Sequence, residues 1–147
     1  MRRLSLLGLL LLLLSGCSLV TTPPPTLLPE TADPFAAQVD AMSEKLLLAI
    51  NNRDEAALLQ DMDDAMRKAS TGGIDSLYAS TVGKIGPYLP GSKKVARVDE
   101  LEGYRRVLYD AAFEQEAHVQ VLVVFSLSGG QPLVSGLWFD SPLLRQK

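Results

Sequence analysis

The stretch "YRRVLYDAAFEQEAHVQVLVVFSLSGGQPLVSGLWFD" (residues 104–140) carries apolar residues at every second position. That period belongs to β-strands, whose side chains alternate between two faces. Over 117–127, Ala117, Val119, Val121, Val123, Phe125 and Leu127 share one face, and His118, Gln120, Leu122, Val124 and Ser126 share the other. The second face turns apolar in its middle, so part of this strand is expected to be covered on both sides. A strand over Tyr104–Phe113 places Val107, Tyr109, Ala111 and Phe113 together. Ser128-Gly129-Gly130-Gln131 reads as a hairpin connection, after which 133–139 returns as the last strand. Asp140-Ser141-Pro142 ends it and leaves a frayed tail. Upstream, 93–99 is a shorter strand whose only large apolar residues are Val95 and Val98.

Before residue 90 the period is helical. Asp33 is a suitable N-cap and Pro34 fits the first helical position. Phe35, Val39, Met42, Leu46, Ala49 and Ile50 form an apolar stripe, which Asn51-Asn52 are expected to stop. Asp54 caps a second helix, with Glu55 in its first turn and a stripe of Leu58, Met62, Ala65, Met66 and Ala69. Arg67 and Lys68 lie at its C-terminal end, where the macrodipole favours cations, and Gly72-Gly73 ends it. A weaker third helix spans 74–85, burying Ile74, Leu77, Tyr78, Thr81 and Ile85, and Gly86-Pro87 closes it. Helices first and strands afterwards imply an α+β domain: N-terminal helices packed on a curved antiparallel sheet of about four strands.

The beginning of the chain differs from the rest. Arg2-Arg3 precede the uncharged run Leu4 to Leu14, and Ser15-Gly16 lead to Cys17, the single cysteine. An apolar run of this length suits an export signal better than a membrane span, which takes about 20 residues. An uncleaved anchor over 4–20 and a twin-arginine export route are the competing readings. Four prolines within 18–33 mark a semi-rigid spacer, about 40 Å long if extended, although Leu27-Leu28 would allow it to dock on the domain. The expected organisation is a signal peptide at 1–16, a tether at 17–33 and the α+β domain at 34–147. Without Arg2 and Arg3, 12 basic side chains face 17 acidic ones, a balance of −5 with histidine neutral. That charge argues against nucleic acid as a partner.

Leu14-Ser15-Gly16-Cys17 resembles the lipobox of bacterial lipoproteins. The resemblance implies that Cys17 becomes the mature N-terminus and carries diacylglycerol on its sulfur. Two acyl chains hold a protein stably where one does not. The implied location is a bacterial cell membrane or outer membrane, with the domain facing the periplasm or the exterior.

The single histidine, His118, excludes a metal site built on imidazoles, and no G-x-S-x-G elbow accompanies it. Asp61 and Asp64 face one side of the second helix and Asp63 another, and the segment lacks the glycine of a calcium loop, so they read as a solvated face with a favourable Asp64–Lys68 pair. Gly129-Gly130 precedes no helix and is a turn rather than a phosphate loop. No cofactor and no metal are called for.

Residues 35–142 resemble NTF2-like, cystatin-like domains of unknown function, closest to the DUF3887 type. The resemblance rests on the "NNRD" junction between two helices, the turn in "VGKIGPYLPG", three long strands, and the ending of the last strand: Val134, Gly136, Leu137, Trp138, Phe139 and Pro142. It implies a cone-shaped cavity lined by strands carrying Tyr104, Tyr109, Asp110, His118 and Trp138. Alternation places Asp110 opposite to Tyr109 and beside Tyr104. The expected task is binding a small ligand or a protein, with a homodimer or an envelope protein as partner. Leu122, Val124 and Trp138 form an apolar outer patch that suits dimerisation. The rival is an isomerase or dehydratase using an acid inside the cone.

Overall fold

In a computed structural model, residue 33 and residues 35–146 are described. The signal segment, Cys17, the tether except Asp33, and Pro34 lie outside the described residues. The elements are α1 (Ala36–Asn52), α2 (Glu55–Gln60), α3 (Asp64–Ser70), α4 (Ile74–Ser80), α5 (Val82–Ile85), β1 (Lys94–Leu101), β2 (Tyr104–Phe113), β3 (Glu116–Ser126), β4 (Leu133–Asp140) and α6 (Pro142–Arg145). The fold is α+β, as expected: helices followed by an antiparallel sheet of order β1-β2-β3-β4.

The N-cap of α1 is Phe35 rather than Asp33 and carries no side-chain cap; Asp33 makes a turn just ahead of the helix, accepting the Phe35 N–H through its side chain at 2.9 Å. The stripe Val39, Ser43, Leu46, Leu47 and Ile50 is buried. Asn51 and Asn52 do not stop this helix. They continue it, and Arg53 ends it in the left-handed conformation (φ 52°), its guanidinium 4.0 Å from the centre of the Tyr78 ring. Asn51 has a task instead: its amide donates to the Tyr88 carbonyl (2.8 Å) while its oxygen accepts the Tyr88 N–H (2.9 Å).

The second helix is two helices. At Met62 the chain becomes extended and bridges to Val134 on the edge of β4. The Asp61 carbonyl accepts the Val134 N–H (2.8 Å), and Asp63 donates its N–H to the Val134 carbonyl (2.9 Å). Pairing with a strand edge thus replaces the helical bonds at the break, and Met62 is fully buried there. Asp63 caps α3 by accepting the Met66 N–H at 2.7 Å, and it also takes the Ser135 hydroxyl at 2.5 Å. Asp64 pairs with Arg67 at 3.1 Å rather than with Lys68. The third helix likewise breaks at Thr81, whose hydroxyl donates back to the Leu77 carbonyl.

Strand β1 extends two residues beyond its expected end, to a tight Glu102-Gly103 turn with φ of 52° and 83°. The tail forms α6, capped by the Ser141 hydroxyl accepting the Leu144 N–H. One face of the sheet buries Val107, Tyr109, Ala111, Phe113, Val119, Val121, Val123, Phe125 and Val134 in a single cluster with the helical stripes. Within it Tyr88, Phe113 and Phe139 meet edge to face, with centroids 5.6 and 6.3 Å apart. Among the described residues no helix is long and apolar enough to cross a membrane.

Candidate functional site

Strand register sorts the sheet into rows across its outer face. One row is Arg97, Leu108, Leu122 and Trp138; the next is Asp99, Arg106, Val124 and Gly136; the one on the other side is Lys94, Asp110, Gln120 and Asp140. Leu108, Leu122 and Trp138, with Val124 from the next row, therefore form an apolar strip rimmed by Arg97, Asp99 and Arg106 and by the charged row through Asp110. None of the four belongs to the core cluster. Leu122 and Val124 are half-buried by their cross-strand neighbours, not enclosed by a second layer of helices, so the cover expected on both sides of β3 is absent among the described residues.

Trp138 is 56% exposed. Its indole lies along the strand over Gly136: a Cβ at Gly136 would sit inside van der Waals contact with Cζ3 and Cη2 of Trp138. Gly136 has no left-handed backbone to satisfy, so the requirement for glycine here is the space the ring occupies. An aromatic side chain covering a strand glycine also protects the bare backbone beside it.

The five residues singled out in the sequence do not line one space. Tyr104, Asp110, His118 and Trp138 are on the outer face, with Tyr104 and Trp138 exposed. Six residues of strand separate Tyr104 from Asp110, about 20 Å. Asp110 and His118 do meet: the imidazole Nδ1 is 3.0 Å from Oδ2, at a solvent-exposed position. Tyr109 is buried on the inner face, its hydroxyl 3.1 Å from Ser43 Oγ. Tyr109 and Asp110 point to opposite sides of β2 and cannot act on one substrate.

A polar cluster that sequence reasoning missed lies where α1 passes the start of β1. The Lys93 side chain is only 4% exposed, with Nζ 2.5 Å from Asp40 and 3.6 Å from Glu44. It also stands 5.1 Å from the centre of the Tyr109 ring. Glu44 accepts the Tyr88 hydroxyl (2.8 Å) and the Gly91 N–H (2.9 Å). Burial pushes the Tyr88 phenol up to about 12, aided by the Glu44 carboxylate; burial likewise pushes Tyr109 up to about 12. Arg105, equally buried, pairs with Asp33 and reaches Glu100 at 3.5 Å. Its hydrogen bond holds the Asp33 carboxyl below the usual range. Every carboxylate in this cluster is matched to a cation or a donor. The cluster ties residues 88–93 and β2 to α1, and it presents no free acid or base to a ligand. Its sequence signal, Asp40 and Glu44 one helical turn apart, is also that of a solvated face.

A groove of about 390 Å³ between α1 and α2 is floored by Ala41, Leu48, Ala49 and Ala57, with Glu44, Lys45, Asn52 and Asp54 around it. Among the described residues, no three His, Cys, Asp or Glu side chains converge as a metal site would require. Compared with protein-family models, curated proteins and solved structures, the chain matches none.

Proposed function

We propose that this protein is a lipid-anchored lipoprotein of the bacterial envelope, whose α+β domain docks a partner protein on the outer face of its sheet. One observation carries the docking surface: Trp138, packed over Gly136 and more than half exposed, continues an apolar strip with Leu108, Leu122 and Val124 that stands outside the core. Exposed aromatic residues amid apolar neighbours and a charged rim are the composition of a binding hot spot. The lipobox Leu14-Ser15-Gly16-Cys17 carries the anchoring. The order of one long helix, shorter helices and a four-stranded antiparallel sheet supports kinship with NTF2-like, cystatin-like domains.

The test uses the full chain in bacterial cells, with a photo-crosslinking residue at position 138 or, as control, at exposed Ala69 on α3. The expected result is a discrete adduct from 138 and none from 69. Equal labelling from both positions, or none from 138, refutes the docking surface. Separately, Cys17→Ser should abolish fatty-acid labelling and leave the precursor uncleaved. A Cys17→Ser chain that remains mature in length and membrane-bound contradicts the anchor.

A further inference from the structure

The sheet has two edges, and they differ. The β4 edge is bridged near its start: the Asp61–Asp63 backbone pairs with Val134, and Ser135 is bonded to Asp63. On the β1 edge no described element pairs beyond the strand. Nearly every residue of β1 is exposed, including Val95 (54%), Val98 (42%) and Leu101 (55%). An open strand edge is a template for another strand. Proteins guard such edges with bulges and with charge, most often lysine. This one has a bulge at Ala96. Its charges, however, are of both signs and are sorted: Lys93, Lys94 and Arg97 precede Val98, and Asp99, Glu100 and Glu102 follow it.

That order is self-complementary. An antiparallel strand of the same sequence, related by a two-fold axis at Val98, sets Val98 against Val98. It sets Arg97 against Asp99 on both sides of the axis, and the basic end of each strand beside the acidic end of the other. The faces agree as well, since Arg97 and Asp99 are both on the outer side, opposite Leu108 and Arg106 respectively. Within one copy Arg97 Nε is already 3.0 Å from Asp99 Oδ2, so pairing closes a ring of four alternating charges. We propose that the β1 edge is a self-association site, at which two copies of this chain join in an eight-stranded antiparallel sheet with Val98 on the two-fold axis. The ring of charges then separates the outer-face strips of the two copies, and Trp138, on β4 at the far side of each sheet, stays free for its partner. The inference rests on β1 alone and stands whether or not the docking reading does.

The experiment is disulfide trapping in the full chain, in membranes from cells expressing it, with the unsubstituted chain reporting any background from Cys17. In the paired strands the two Val98 Cα atoms are about 4.5–5.5 Å apart, within reach of a disulfide. Mild oxidation should convert Val98→Cys to a disulfide dimer, while Trp138→Cys stays monomeric. In the Val98→Cys background, Arg97→Asp or Asp99→Arg alone places like charges across the axis and should slow trapping about tenfold or more. The double swap Arg97→Asp/Asp99→Arg should restore it. The two single variants, expressed together with different tags, should form mixed dimers in preference to either homodimer. No dimer from Val98→Cys, as when the chain's own first 32 residues cover β1, overturns the proposal. So does equal trapping at Trp138→Cys, or charge variants that trap as the parent does.

Discussion

Gly136→Ala tests the placement of Trp138, because steric loss and backbone gain oppose each other at that position. Trp138 is 56% exposed, so somewhat under half of the residue's surface is covered. That is on the order of 100 Å², or about 2.5 kcal/mol at roughly 25 cal/mol per Å². An alanine methyl at 136 would occupy the space of Cζ3 and Cη2, and the ring must lift away. Most of that contact is then lost. Against this, exchanging glycine for alanine in ordinary backbone gains about 0.4–1 kcal/mol by restricting the unfolded chain. The net expectation is a loss of about 1–2 kcal/mol. With the ring already removed by Trp138→Ala, the same glycine exchange should stabilise by about 0.5 kcal/mol, so the effect inverts and the coupling is about 2 kcal/mol. Urea unfolding of the four proteins in the cycle measures it. Trp138 is the only tryptophan, so native-state fluorescence reports on it alone and should shift to the red in Gly136→Ala. A Gly136→Ala protein as stable as the parent, with unshifted emission, refutes the claim that the ring rests on Gly136.

Asn51→Ala removes partners from both the N–H and the carbonyl of Tyr88, which is buried, and should cost about 1–3 kcal/mol in urea unfolding; a loss below about 0.5 kcal/mol would show the clamp to be dispensable. Tyr88 and Tyr109 are held neutral by burial with phenols at about 12, against an ordinary 10.0. A raised folded-state value gives stability that is intact below pH 10 and lost as pH climbs toward 12, so denaturation midpoints should fall over that window. Tyr109→Phe should make the fall shallower, and a midpoint unchanged from pH 10 to 12 would contradict the burial of both rings. Glu102 occupies a left-handed conformation at φ 52°, which costs a non-glycine residue about 1 kcal/mol. Glycine relieves that but gives back about 0.4–1 kcal/mol through a freer unfolded chain, so Glu102→Gly should leave the melting temperature unchanged or raise it by up to a few degrees, as followed by circular dichroism, and a fall of several degrees would contradict the left-handed turn.

Strand β3 was legible because one face is apolar along its whole length and period two has no helical interpretation. The same alternation separated Tyr109 from Asp110 and placed Trp138 outward, as the register shows. The break at Met62 was not legible, because its cause is far away in sequence. Residues 54–69 carry a continuous helical stripe, and only the edge of β4 at Val134 offers bonds that compete with the helix. Asp63 followed by Asp64 is in retrospect a helix start, yet inside a longer stripe it reads as a solvated face. The β1–β2 turn escaped notice because Glu102-Gly103 lacks the asparagine or aspartate that favours positive φ at its first position. Lys93 escaped for the opposite reason. Lysine is ordinarily exposed, and nothing local says that Asp40 and Glu44 will cover this one.

The buried cations also bear on why β1 is the open edge. Val95 and Val98 face the helical side of the sheet, opposite Tyr109 and Val107, but they remain exposed. Apolar packing therefore stops at β2, and beside β1 the interval between sheet and α1 holds Lys93 and Arg105 with Asp33, Asp40, Glu44 and Glu100. Ion pairs so placed add little net stability, because desolvation offsets much of their attraction. They do fix geometry: Arg105 and Lys93 each touch two acids, and Glu44 also receives Tyr88 and Gly91. The result is a strand held in place through its neighbours and almost uncovered itself. A hydrophobic seal over β1 would have enlarged the core, at the cost of hiding both the strand's edge and its sorted charges. The polar attachment leaves them accessible, and an edge so exposed is where a second strand of matching charge gains the most on pairing.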